Sequence, residues 1–211
     1  MTKLKKTTTT FNVMLAHPYG KKDFNRDSFI QPKLDGIRCY ITKNGAFSRN
    51  HKEFKTVEHI KKALKPLFKE DPQLILDGEL YNHQLKNDFN KIISLVRKKN
   101  PSETETEDAE KYIQFHWYDY CNFNQKNEEV SADFRLRNMT IRDAISQINS
   151  RHIIEVPTHD VSVIESAKLW HKDFLEQGYE GSILRLNKPY EQKRSYNLQK
   201  FKDFHDSEAK I

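Results

Sequence analysis

Lys33-Leu34-Asp35-Gly36-Ile37-Arg38 is the stretch from which the rest of this chain is best read. A lysine closes one β-like run, Asp-Gly offers turn chemistry, and an arginine opens the next run at 38–42. Such a strand-turn-strand hairpin would hold an amine and a guanidinium on one small frame. Outward from it lie further short β-like runs at 74–76, 112–120, 152–156 and 182–186. Apolar residues recur at helical spacing over 57–68, 88–99, 133–148 and 163–177, the last stopped by Gly178, which predicts four helices. The segment 101–110 shows no apolar period and reads as an exposed loop. Short strands mixed with separate helices predict an α+β domain with mostly antiparallel sheet.

The chain has 211 residues, 36% of them hydrophobic, enough for one globular domain or two small ones. The longest apolar run, Val13 to Ala16, is far below the ~20 residues a membrane helix needs, so a cytoplasmic protein without a membrane partner is expected. Cys39 and Cys121 occur singly, which argues against a disulfide scaffold or a structural zinc site. The nine histidines show no supported metal-ligand spacing. The six glycines are isolated, so no Gly-rich phosphate loop can be built and charged side chains would have to hold any nucleotide phosphates. Five acids between Ser102 and Glu110 leave 36 bases against 25 acids elsewhere, a surplus of +11 that suits a polyanionic partner.

Further along, Asp77-Gly78-Glu79 and Glu180-Gly181 place acids beside glycine at the edges of apolar runs, where such pairs are commonly turn chemistry. Lys200-Phe201-Lys202 alternates so that a strand would set two ammonium groups on one face. Taken in this order, the segments resemble the motifs of covalent nucleotidyltransferases: ATP-dependent DNA ligases, RNA ligases and messenger-RNA capping enzymes. The resemblance is nearest to DNA ligases of the T-even bacteriophage type, through Met14-Leu15-Ala16, 31–39, Phe134-Arg135-Leu136, 177–186 and 194–202. Arg38 disfavours the RNA ligases, which usually have Ser there, and Glu180-Gly181 disfavours capping enzymes, which usually have Asp-Gly.

The resemblance implies two mostly antiparallel sheets with flanking helices and a nucleotide pocket between them. It makes Lys33 the residue that takes AMP from ATP. A lysine amine of ordinary pKa, ~10.4, is protonated at neutral pH, so such a nucleophile needs positive charge nearby, here expected from Arg38, Lys200, Lys202 and a divalent metal. The same resemblance implies that Glu79 contacts the ribose and metal-bound water, that Glu180 assists in binding Mg²⁺ or Mn²⁺, and that Tyr118 stacks on adenine. Gln31, where many relatives have Glu, would accept from the adenine amino group. Arg49 and Arg194 match positions that grip the 5′-phosphate of nicked double-stranded DNA, with Arg38 beside them.

The expected organisation is a basic N-terminal segment at 1–12, an adenylation domain at 13–205, and a hinge at 206–211. That hinge would lead to an oligonucleotide-binding domain that complete ligases carry, supplied in cis or by a partner to a monomeric chain. Two alternatives accompany the nick-sealing ligase: an RNA ligase or capping-type enzyme with another nucleotide or acceptor, and a non-catalytic nucleic-acid-binding module.

Overall fold

A computed structural model of the chain describes residues 11–20, 27–122 and 132–201. In chain order the elements begin with β1 (Leu15–Pro18), β2 (Ser28–Lys33), β3 (Ile37–Thr42) and β4 (Gly45–Ser48). The first helix, α1 (Glu58–Glu70), leads into β5 (Leu74–Tyr81), a short 3-10 turn at His83–Leu85, and α2 (Phe89–Val96). Next come α3 (Glu103–Tyr112), β6 (Gln114–Asn122), α4 (Phe134–Ser146), β7 (Ile153–Glu155) and β8 (His159–Val161). The described chain closes with α5 (Ile164–Glu176), β9 (Gly181–Leu186) and β10 (Arg194–Phe201). The α+β architecture expected from the sequence is present, with two five-stranded sheets ordered β1-β10-β9-β2-β8 and β4-β3-β5-β6-β7. Each is antiparallel except for one parallel pair, β1 with β10 and β6 with β7.

Three apolar layers hold these elements together. The second sheet buries Ile41, Leu76, Leu80 and Phe115 against Ile60 and Leu64 of α1, Ile92 and Val96 of α2, and Ile141 of α4. The first sheet buries Ile30 and Leu184 against Ala167 and Phe174 of α5. Between the sheets, Met14, Ala16, Tyr190 and Leu198 pack on Tyr40, Ile75 and Cys121. This central layer borders a cleft between the sheets, which Leu15, Ala16 and Leu198 help to line.

The structure departs from the sequence reading at three places. Lys33 and Arg38 are not on a hairpin: β2 pairs with β8 and β9, whereas β3 pairs with β4 and β5, so Asp35-Gly36 carries the chain from one sheet to the other. Gly36 serves close approach, because a Cβ there would lie 2.6 Å from the Leu80 carbonyl oxygen and 2.7 Å from Cγ of Glu79. The segment 101–110 is helical through most of its length. Ser102 Oγ accepts from the Glu105 N–H (3.2 Å), and the Glu105 carboxylate accepts from the Ser102 N–H (3.0 Å), a complete capping box. Glu103 and Glu105 in the first turn favour the same start through the helix dipole. Of this helix only Ala109 is buried, which is why no apolar period announced it.

Asp77-Gly78-Glu79 is likewise no turn but the middle of β5, where Gly78 lets β6 come close. A Cβ at Gly78 would meet the His116 carbonyl oxygen at 2.5 Å and the Phe115 ring at 2.7 Å. Gly78→Ala is therefore expected to lower the unfolding free energy by about 1–3 kcal/mol through overpacking. Urea denaturation checks this, and an unchanged midpoint would show that β6 gives way freely.

Candidate active site

Strand register assembles the site. Lys33, the last residue of β2, lies opposite Gly181, the first of β9, so the preceding Glu180 falls beside it, and the Glu180 N–H donates to the Lys33 carbonyl (3.2 Å). The Glu180 carboxylate forms an ion pair with the Lys33 amine. On the facing sheet Arg38 of β3 is the direct partner of Glu79 of β5. Because strand side chains alternate, Asp77 shares that face, and both of its oxygens accept from Arg38, at 2.8 and 2.5 Å.

Tyr118 is aimed by an irregularity in β6. Asp77 lies opposite Asp119 but Gly78 lies opposite Trp117, which leaves Tyr118 as an extra residue. Bulges of this kind redirect side chains. The Tyr118 hydroxyl reaches the Gly78 carbonyl (3.2 Å), and the Arg38 guanidinium lies 4.8 Å from the ring centroid. The resulting cleft, about 220 Å³, is lined by Gln31, Lys33, Arg38, Arg49, Glu79, Tyr118, Arg194 and Lys200 among others. Eight of the residues singled out in the sequence thus share one cavity, with Glu180 at its edge through Lys33. Lys202 and the segment 206–211 lie outside the described residues.

Sequence reasoning missed the polar layer beneath this cleft. Asp119, fully buried, accepts from Arg137 (2.8 and 3.0 Å) and from Arg185 (2.5 Å). Arg185 also donates to the Gln31 side-chain oxygen (3.3 Å), while Gln31 Nε2 donates to Thr158 Oγ1 (2.9 Å) and to the Tyr118 carbonyl (3.3 Å). Guanidinium only donates and a carbonyl only accepts, so the orientation of the Gln31 amide is fixed by its neighbours. The available signals were an arginine inside the apolar run Ser182-Ile183-Leu184-Arg185-Leu186 and Asp119 beside Tyr118. Asp77 and Tyr190, whose hydroxyl donates to Asp77 (2.7 Å), were also overlooked as a support for Arg38.

The electrostatics follow from burial. Burial alone would raise the Asp119 carboxyl, but Arg137 and Arg185 outweigh it and hold the group below the usual carboxylate range. Burial would deprotonate Arg38, yet Asp77 keeps it firmly charged. Glu79 goes the other way. Burial pushes its carboxyl up to about 7, only partly opposed by Arg38 and Lys33.

With this geometry in view, the comparisons with known proteins are informative. Residues 13–202 match the family model described as ATP dependent DNA ligase domain. The chain belongs to that family. It is similar to the DNA ligase of African swine fever virus, 27% identical over 86% of this chain and 43% of that protein. It is similar as well to the DNA ligase of Enterobacteria phage T4, 26% identical over 94% of this chain and 50% of the phage enzyme. The T-even resemblance read from the motifs is thereby confirmed. The solved structure of Chlorella virus DNA ligase-adenylate shares the fold, with a TM-score of 0.69 at 19% identity over 92% of this chain and 69% of that one. The chain spans about half the length of the curated ligases it matches. Among the described residues of this ligase-family domain no helix is long and apolar enough to cross a membrane.

The Glu79 carboxyl makes the domain's stability depend on pH. Between its unfolded value of 4.5 and its folded value of about 7, the folded domain keeps a proton that the unfolded chain releases, so stability falls as pH rises through this window. Glu79→Gln cannot ionise, and its stability relative to the parent is expected to improve from pH 4.5 to 7 and then level off. Urea midpoints of both proteins at pH 5, 6, 7 and 8 check this. A constant difference would mean that the carboxyl is not held protonated.

Proposed function

We propose that this domain transfers AMP from ATP to the Lys33 amine and, as the catalytic part of a nick-sealing ligase spanning 13–205, passes it to DNA. The carrying observation is an amine at the edge of a cleft lined by Arg38, Arg49, Arg194 and Lys200, in a member of the ATP-dependent DNA ligase family. The bases suit a triphosphate, whose charge they neutralise as it grows in the transition state. Tyr118 offers a flat face to adenine. Gln31, oriented by Arg185 and Thr158, keeps one lone pair of its oxygen for the adenine amino group.

Lys33 Nζ, as the neutral amine, attacks the α-phosphorus, the bond to the bridging oxygen breaks, pyrophosphate leaves with the electron pair, and the proton lost from the nitrogen passes to solvent. Glu180 pairs with that amine across the edge of the cleft. Glu180 must turn from Lys33 before the nitrogen lone pair is available. Glu79 and Glu180 supply only oxygen donors, which fits Mg²⁺ or Mn²⁺ held by one or two carboxylates together with phosphate oxygens. When bound, such a cation supplies charge neutralisation on the phosphates. Arg49 and Arg194 then position the 5′-phosphate of nicked duplex DNA, to which AMP passes before the 3′-hydroxyl displaces it.

Intact-mass measurement after incubation with ATP and Mg²⁺ tests the first step. One AMP per chain, mapped to Lys33 and absent from Lys33→Ala, is the expected result; an adduct on another lysine, or DNA binding with no adduct, would overturn the assignment. For the second step, Arg49→Ala should slow AMP transfer to a phosphorylated nick by about 10- to 100-fold, the loss of one charged hydrogen bond. Formation of the Lys33 adduct should change far less. Equal losses in single-turnover assays of the two steps would refute this division between Lys33 and Arg49.

A further inference from the structure

Glu79 stands on β5 of the second sheet and Glu180 immediately precedes β9 of the first, and a short hydrogen-bond chain runs from β5 to the end of α5. Two residues beyond Glu79 along β5, the Tyr81 hydroxyl bonds His83 Nδ1 (3.0 Å). His83 Nε2 bonds the carbonyl of Gln177 (3.1 Å), the residue that ends α5 three positions before Glu180. Since a carbonyl can only accept, Nε2 carries the proton and Nδ1 of the neutral ring accepts from Tyr81. The Lys86 amine donates to the same carbonyl (2.8 Å).

The ends of this chain are themselves fastened. Tyr81 is buried, and its Cβ would lie 3.1 Å from a side chain at Gly36, so it sits against the crossing that follows Lys33. The 3-10 turn carrying His83 is capped by Asn82, whose side-chain oxygen accepts from the Gln84 N–H (2.9 Å). The Asn82 amide donates in turn to the Tyr112 carbonyl at the end of α3 (2.7 Å). On the α5 side, Gly178 takes a left-handed φ of 88°, and the Tyr179 N–H returns to the Phe174 carbonyl (2.9 Å), a closed helix terminus. A side chain at Gly178 would collide with the Lys86 amine, so the lysine lies directly over this terminus. The His83 and Tyr179 rings pack at 4.5 Å, and the next residue is Glu180.

We propose that Tyr81, His83 and Lys86 form a strut between β5 and the α5 terminus that fixes Glu180 relative to Lys33 and Glu79, which makes His83 a positioning residue for nucleotidyl transfer. The assignment rests on the functional reading above for its chemistry and on the observed bonds for its geometry. Without the strut, the α5 terminus keeps its own closing bonds, Gly178 N–H to Leu175 and Tyr179 N–H to Phe174, but loses the bonds from His83 and Lys86 that tie it to the turn following β5. Glu180 would then sample orientations from which it cannot leave Lys33 for the position the reaction needs.

The test uses the whole chain and three substitutions. His83→Phe keeps the ring beside Tyr179 and removes both bonds; His83→Gln returns a donor toward Gln177; Lys86→Met keeps the stem over Gly178 and removes the charge. Two readouts are taken: hydrogen exchange of the Glu180 amide, and single-turnover formation of the AMP adduct alongside ATP affinity. His83→Phe is expected to speed exchange at Glu180 tenfold or more and to slow adduct formation by a similar factor, with ATP affinity changed less than about threefold. His83→Gln should recover most of both, and Lys86→Met should show a smaller change in the same direction. Unchanged exchange and adduct rate in His83→Phe would overturn the strut, as would a loss spread equally over ATP binding, adduct rate and global stability. Should His83→Phe fail to fold, Lys86→Met decides by the same two readouts. If the parent chain forms no adduct, the nucleotidyl-transfer reading fails, whereas the exchange data still decide whether the strut holds Glu180.

Discussion

One buried carboxylate joins what would otherwise be separate layers. Asp119 on β6 holds Arg137 of α4 and Arg185 of β9, so the second sheet, a helix packed on it, and the first sheet meet at a single fully desolvated charge. Arg137 adds bonds to the Ala132 and Lys188 carbonyls (2.6 and 3.0 Å) and so ties in the segments on either side. Pairs of this kind are not strong evidence of net stability, since desolvation cancels much of the attraction. Removing one partner, however, leaves a buried charge uncompensated and costs about 3–5 kcal/mol. The geometry is thus enforced by the penalty for departing from it. Gln31 and Tyr118 inherit that enforcement, because Arg185 orients the amide and the neighbouring bulge presents the ring.

Arg38 is built in the same way on a smaller scale. Its guanidinium is held by both oxygens of Asp77 and by the Met14 carbonyl (3.1 Å), and Tyr190 in turn bonds both Asp77 and the Met14 N–H (2.8 Å). A bidentate pair fixes orientation as well as charge. The residue before β1 is therefore part of the support for a cleft residue on β3, and the N-terminal apolar segment is coupled to the site through hydrogen bonds as well as through packing. Lys33 differs from Arg38 in having its carboxylate just ahead of a strand, where rotation of the Glu180 side chain can part the pair while the backbone stays held. Under the proposed function, fixed partners suit an arginine that would receive phosphate charge, and a partner able to rotate away suits an amine that would have to lose its proton.

The elements legible in the sequence were those with strong periodicity, and the site residues legible were those in short motifs. Four helices fall where apolar spacing placed them, and each β-like run overlaps a strand, although the run at 74–76 is the start of a longer β5 and the run at 112–120 begins in the last residue of α3. The acidic helix α3 escaped because it buries almost nothing, although Ser102 and Glu105 stand at capping-box spacing. Local turn chemistry misled at Asp35-Gly36 and at Asp77-Gly78: both glycines are required by a neighbouring strand distant in sequence, and a single sequence records such contacts only as a glycine. For the same reason Asp119, Arg137 and Arg185 were not read as a set. They lie 18 and 48 residues apart along the chain and meet only when two sheets and a helix are in place.

The distribution of counter-charges within the cleft separates its bases by task. Arg38 and Arg185 each carry a buried carboxylate partner, so their charge is largely committed to the fold and their donors are directed by it. Arg49 and Arg194 line the same cavity with no carboxylate partner among the described residues, Arg194 donating instead to the Ala16 carbonyl. Under the proposed function, their uncompensated charge is what an incoming phosphate would meet first, since an unpaired cation attracts anions more strongly than a neutralised pair. The half-buried Glu79 adds no full negative charge near or below pH 7, because its carboxyl titrates only there. A cleft arranged in this way presents net positive charge to a polyanion at its rim and rigid, directed donors within, so attraction and orientation are supplied by different residues on the same walls.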